Sequence, residues 1–129
     1  MSFLATLKLD EEEYKILYCS FAFHKEIDPT GKPISIPLGG ILDIKLESNR
    51  KTNFYDWMIS PTLVKSGTIT FFRRDEMSRL KNLEFNDSHC IAYKETFDHL
   101  GENPMMIELK LSARELKIND STFYNNWPD

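Results

Sequence analysis

Any nucleophilic or metal chemistry in this chain rests on few residues, because the sequence holds only two cysteines, Cys19 and Cys90, and three histidines, His24, His89 and His99. A thiol becomes a catalytic nucleophile when an imidazole can take its proton. His89 and Cys90 are adjacent, and adjacent residues on a strand point to opposite faces, so those two cannot form the pair. Pairing of Cys90 with His24 or His99 stays open at the level of sequence. None of the five has a companion at CxxC or helical metal-ligand spacing. The cysteines therefore read as small buried hydrophobes in a reducing compartment, and the histidines as surface or turn residues. Asp10-Glu11-Glu12-Glu13 lacks the alternating ligands of a calcium loop and reads as a solvated turn. Gly39-Gly40 is not followed by the lysine of a phosphate loop. Arg73-Arg74-Asp75 has the charge to hold a phosphate, but a strand end or an interface ion pair suits it better. The expectation is no catalytic set, no metal ligands and no cofactor.

What then remains is a body of ordinary size: 129 residues and 15.1 kDa, enough for one domain with its own core. Hydrophobic residues are 41% and charged residues 28%, which excludes a disordered or fibrous chain. The net charge of -4 and the lack of a basic block argue against nucleic acid and anionic membranes, which need concentrated positive charge. The first residues have neither a basic region nor a long apolar run, so no secretory signal peptide is expected. No stretch nears the ~18 apolar residues that span a bilayer, so no membrane insertion is expected either.

The dominant pattern is alternation with period two, which predicts strands at 3–9, 14–24, 41–47, 67–74, 82–85, 89–97 and 105–115. A single helix is predicted over 53–60, where Phe54, Trp57 and Met58 share a face, Thr52 or Asn53 can cap the first turn, and Pro61 ends it. Many short strands and one helix predict a mainly β domain, a closed or nearly closed barrel or a sandwich. Residues 28–40 are rich in proline and glycine and form a long, stiff arm carrying Lys32, Ile34, Ile36 and Leu38. The tail, 119–129, is polar but holds Phe123, Tyr124 and Trp127, an aromatic set that has to dock on its own domain or on a neighbour.

Apolar residues exceed what one barrel interior needs. The 14–24 strand is apolar on both faces, with Leu17, Cys19, Phe21 and Phe23 on one and Ile16, Tyr18, Ser20 and Ala22 on the other. This surplus, with the aliphatic arm, predicts self-association.

Several stretches, in order along nearly the whole chain, resemble the tube proteins of the type VI secretion system, the Hcp or TssD family. They are Ser2-Phe-Leu-Ala-Thr-Leu-Lys-Leu, Tyr18-Cys-Ser-Phe, Thr30-Gly-Lys-Pro with Pro37-Leu-Gly-Gly, Glu47-Ser48, Trp57-Met-Ile-Ser-Pro61, the run 65–75, Gly101-Glu-Asn-Pro-Met105 and Leu111-Ser-Ala-Arg-Glu115. The resemblance implies a single tube domain over 1–129, built as a β-barrel of two packed antiparallel sheets with one short flanking α-helix, a homohexameric ring, and rings stacked into a hollow tube. It also implies sheath and spike or baseplate partners, effector cargo in the lumen, and no catalysis. Assembly would take place in the bacterial cytoplasm, before export without a signal peptide. On that footing Ile16 and Tyr18 are assigned to ring contacts and Lys32, Ile34, Ile36 and Leu38 to stacking. Two polar strand faces, Asp43, Lys45 and Glu47 and separately Glu108, Lys110, Ser112 and Arg114, either line the lumen or meet outside solvent. Two rival readings stand beside this one: a monomeric ligand-binding β-barrel, and a small enzyme using Cys90 or a histidine.

Overall fold

The computed structural model describes residues 3–48, 54–73, 78–102 and 105–128. Their elements are, in order, β1 (Phe3–Leu9), β2 (Glu12–Phe21), β3 (Ile41–Glu47), α1 (Tyr55–Ile59), β4 (Lys65–Arg73), β5 (Ser78–Phe97), β6 (Met105–Ile118) and β7 (Ser121–Tyr124). Every pairing is antiparallel, with neighbours in the order β3-β2-β1-β4-β5-β6-β7, and a further pairing of β3 with β6 closes the circle. β1 to β6 thus make a six-stranded barrel, and β7 adds to the end of β6. The barrel is one continuous sheet whose walls face each other. Closure removes most of the edges that an open sheet would present.

The local reasons are plain. β3 alternates fully buried Leu42, Ile44 and Leu46 with half-buried Ile41, Asp43 and Lys45, the period of a strand with one face in the core. β1 and β2 join through Asp10 and Glu11, both at positive φ (52° and 66°), as a tight hairpin of the correct twist demands. The carboxylate run is therefore split: Asp10 and Glu11 turn, and Glu12 opens β2. Asp10 pairs with Lys65 at the start of β4. α1 is shorter than the predicted helix. Phe54 and Trp57 are buried, while Met58 lies on the exposed side. Ser60, before Pro61, is extended (ψ 132°) and ends the helix as predicted. Its proposed caps, Thr52 and Asn53, lie outside the described residues.

Two departures from simple alternation matter. First, the strands read as 82–85 and 89–97 are one strand, β5. Inward residues change parity from Leu83 and Phe85 to Ser88 and Cys90, and on the partner strand from Leu116 to Ala113. The switch occurs at Asp87, whose φ is +50°, so both long strands bend together from one wall of the barrel to the other. Second, β2 carries a bulge. Ile16 pairs with Leu46 and Tyr18 with Lys45, leaving Leu17 as an extra residue. One extra residue exchanges the faces. Tyr14 and Ile16 point inward before the bulge; Cys19 and Phe21 pack on the core after it.

The interior is filled by side chains, among them Leu7, Ile69, Phe85, Ile107, Leu111 and Leu116, as expected for a barrel this narrow. α1 seals its flank. Trp57 donates its indole N–H to the Ser88 carbonyl at 2.9 Å, and Phe54 packs edge-on to Tyr14 with centroids 5.5 Å apart.

Candidate assembly surfaces

The two polar faces left separate by the sequence are one surface. β3 and β6 are neighbours, with Asp43 opposite Lys110 and Lys45 opposite Glu108. Those cross-strand pairs are ion pairs, Lys110 to Asp43 at 3.8 Å and Lys45 to Glu108 at 3.6 Å. Tyr18 of β2 stands opposite Lys45, whose ammonium lies 5.1 Å from the Tyr18 ring centroid. Lys94 of β5 stands opposite Glu108. Glu47 and Ser112 continue the same alternating outward series on β3 and β6, and Arg114 follows at the tail end, beneath Trp127. β2, β3, β6 and β5 together therefore form a wall with an apolar back in the core and a front of balanced, mutually paired charge. At partial exposure each pair contributes little stability, on the order of 0–1 kcal/mol. Their effect is to keep the front wet and nearly neutral.

Both lateral margins of this wall lack a full complement of strand partners. β1 follows β2 only as far as Ala5 opposite Ile16, so residues 18–21 pair with β3 alone among the described residues. β4 follows β5 only to Lys65 opposite Ser88, so residues 89–97 pair with β6 alone among the described residues. Exposed apolar side chains mark both margins: Leu17 and Tyr18 on β2, and Ile91 on β5. Of the two residues assigned to ring contacts, Tyr18 (48% exposed) is placed outward. Ile16 is corrected: it is 7% exposed and lies in the core. The Leu17 bulge is the reason, and it also accounts for part of the apparent apolarity of both β2 faces.

The arm is longer than its proline-rich stretch. Beyond Phe21 the chain leaves the barrel and returns at Ile41, and its two legs hold each other. His24 and Leu38 exchange backbone hydrogen bonds (2.9 and 2.7 Å), Ile34 N–H donates to Glu26 O (2.9 Å), and the Glu26 N–H donates to Ser35 Oγ (2.8 Å). Asp28 organises the tip. Its Oδ1 accepts from the Thr30 hydroxyl (2.6 Å), the Thr30 N–H (2.9 Å) and the Lys32 N–H (3.0 Å), which holds its carboxyl below the usual range. Gly31 takes the left-handed turn position at φ +89°. Lys32, Ile34 and Ile36 are exposed; Leu38 is half-buried at the root and is the inner end of the arm.

At the other end of the polar wall, the turn between β5 and β6 carries Phe97 (67% exposed) and Leu100 (84% exposed). The register fixes this polarity, since β3 begins opposite Ser112 and ends opposite Met106. Phe97 ends the predicted 89–97 strand, while Leu100 sits beyond it, where its sequence signal is a bulky apolar residue in a polar turn.

Glu95 ties α1 to the wall. It accepts from Tyr55 (2.5 Å), Ser48 (2.7 Å) and Tyr93 (3.0 Å), in that order the causes that hold its carboxyl below its ordinary value, while burial pushes the Tyr93 hydroxyl up. A depressed folded-state value means that the unfolded chain binds the proton more tightly. This stabilisation is complete above about pH 4.3, the unfolded carboxylate range, and is lost as pH falls through the lower folded value. Near-ultraviolet dichroism, which senses Tyr55, Tyr93 and Trp57, is expected to show an acid step below the ordinary carboxylate range that Glu95→Gln removes. The same acid step in Glu95→Gln as in the wild type would contradict this.

The residues weighed for chemistry have local partners. Cys90 Sγ lies 3.5 Å from Ala92 O, and burial pushes its thiol up. Cys19 is pushed up to about 11 by burial and by Asp43. Both thiols are therefore protonated at neutral pH, the wrong state for a nucleophile. His24 lies 3.5 Å from Glu26, His89 faces Trp127 and His99 stacks on Phe97. Among the described residues no group of three or more His, Cys, Asp or Glu is arranged to hold a metal. No described helix is long and apolar enough to cross a membrane. Among the described residues, core side chains fill the space that a ligand-binding barrel would keep open.

Comparison with known proteins agrees with this geometry. A family model described as hemolysin coregulated protein Hcp (TssD) matches residues 1–128. Hcp1 from Flavobacterium johnsoniae is 34% identical, with a TM-score of 0.89 over 95% of this chain and 99% of that one. Hcp1 from Salmonella typhimurium is 15% identical, with a TM-score of 0.76 over 95% of this chain and 92% of that one. A chain in the extended sheath–tube complex of an extracellular contractile injection system, PVC, is 15% identical, with a TM-score of 0.59 over 91% and 88%. The last two show the fold alone. No curated protein matches the sequence.

Proposed function

The chain belongs to the Hcp (TssD) family, and from that premise we propose that it is a subunit of the type VI secretion tube, six copies closing into a ring and rings stacking into a hollow tube. The observation that carries this reading is the polar wall with a free margin on each side. Margins of different sequence call for a heterologous contact, which closes into a ring when the rotation allows. Joining residues 18–21 of one copy to residues 89–97 of the next would bury Leu17, Tyr18 and Ile91 and continue the wall around a channel. The charged front formed by Asp43, Lys45, Glu47, Glu108, Lys110, Ser112 and Arg114 then lines the lumen. Balanced charge there suits weak, reversible contact with effector cargo.

Stacking repeats along the axis and does not close. The arm projects from one end of the wall, and Phe97 and Leu100 from the other, so the apolar Ile34 and Ile36 of one ring meet the apolar turn of the next. A contracting sheath drives the tube, tipped by a spike, out of the bacterial cytoplasm and into the medium or a target cell. Export of this kind uses no signal peptide.

Native mass spectrometry of the purified protein, followed by negative-stain imaging of the same sample, tests the reading. The expected species is a ring six times the 15.1 kDa chain, annular in projection. A protein that stays monomeric at high concentration, with no annular particles under crowding, would overturn it.

A further inference from the structure

We propose that the C-terminal segment, residues 121–128, is a clasp that fixes the direction of the arm. Its consequence for stacking rests on the proposed function; the clasp itself does not. From residue 22 to residue 37 the arm is exposed except at the half-buried Asp28 and Ser35, so it has no surface to lie on. Its direction has to be set at the root, and the tail grips both legs there. On the outgoing leg, Phe123 of β7 packs on Phe23 with centroids 5.0 Å apart. On the returning leg, the Asn125 side-chain amide donates to Gly39 O (3.1 Å) and to Ala113 O (2.9 Å), bridging the arm root to β6. The Asn125 N–H donates to Arg114 O at 2.8 Å, which extends the β6–β7 ladder by one rung.

The glycine pair shows how close this fit is. A Cβ on Gly39 would stand 2.5 Å from the Phe23 ring, and one on Gly40, at φ +92°, would collide with the Asn125 amide. Gly40 is also pinned to β6, its carbonyl accepting from the Ala113 N–H at 2.8 Å, so without the tail the hinge is Gly39; with it the pair is a fixed corner. The end of the tail is held in turn by Trp127, which lies 5.6 Å from the Arg114 guanidinium and 5.5 Å from the His89 ring. Tail, arm root and polar wall are thus joined through separate contacts at one end of the barrel.

Hydrogen exchange on dispersed protein tests the clasp without requiring a tube. The His24 and Leu38 amides, which bond each other's carbonyls, report on the arm. In Asn125→Ala, and in a chain ending after Tyr124, peptides covering 23–38 are expected to exchange about tenfold faster while β3 keeps its protection. If the first two fail to fold, Trp127→Ala, which frees only the tail end, is expected to give a smaller rise in the same peptides. Wild-type exchange of the arm in every folded variant would overturn the proposal. Faster arm exchange with undiminished stacking would uphold the clasp and refute the arm as the stacking element. Absence of rings from the wild type would refute the proposed function and leave the exchange result to decide the clasp.

Discussion

Replacing Ile34 and Ile36 together with aspartate is expected to leave the barrel folded and its rings intact and to abolish stacking. Both side chains are about two-thirds exposed in the protomer (66% and 67%), so their removal creates no cavity. Each contributes to folding far less than a core residue does. On docking, each isoleucine would bury most of that apolar surface against the next ring, worth about 1.5–3 kcal/mol per side chain when burial is complete. An aspartate there forfeits that gain and also pays to lose water from a charge. With six arms at each junction of the proposed tube, the loss would be repeated and act multiplicatively on the junction. Sedimentation and negative-stain imaging would show free rings in place of tubes. Tubes of normal length from the double variant would remove the arm from the interface. A thermal midpoint well below wild type would show that the arm stabilises the subunit itself.

Trp57→Ala should give the largest loss of stability of any single change considered, about 3–5 kcal/mol. Trp57 is 1% exposed, packs against Phe54 and under the Lys65 ammonium, and satisfies the buried Ser88 carbonyl. Alanine leaves a large void between α1 and β5 and an acceptor without its donor. A domain of this size has only about 5–15 kcal/mol in total, so the variant is expected to fold marginally. Chemical denaturation measures the change directly. Trp57→Phe separates the two causes: it keeps most of the volume and loses the hydrogen bond, with an expected cost of about 1–3 kcal/mol. A cost below 1 kcal/mol for the alanine variant would mean that α1 is not part of the folding unit. Loosening α1 would also disturb the Tyr55–Glu95 bond and, through it, the margin of β5 proposed to join the next subunit.

Most of the strands could be read in the sequence because burial on a pleated surface repeats every two residues, a local signal. Leu42, Ile44 and Leu46 against Asp43, Lys45 and Glu47 needed nothing else, and the single helix followed from the spacing of Phe54 and Trp57 and from Pro61. The exposed aliphatics of the arm were equally legible, since prolines and glycines mark a chain outside the sheet. Where alternation slips by one residue the same reasoning inverts every later side chain. This is why Ile16 was placed on a surface and lies in the core, and why β5 looked like two strands.

Sequence by itself thus determined a mainly β subunit with one flanking helix, an aliphatic arm and polar faces on particular strands. Only the tertiary structure decided that β3 and β6 are neighbours, which turns two polar faces into one wall. It alone showed that both margins of that wall stop short of a partner among the described residues, and that Phe123 and Asn125 grip the root of an arm far away in the chain. The physical reason is common to all three. Pairing between distant strands is chosen by closure of the whole barrel, and no window of neighbouring residues carries that choice.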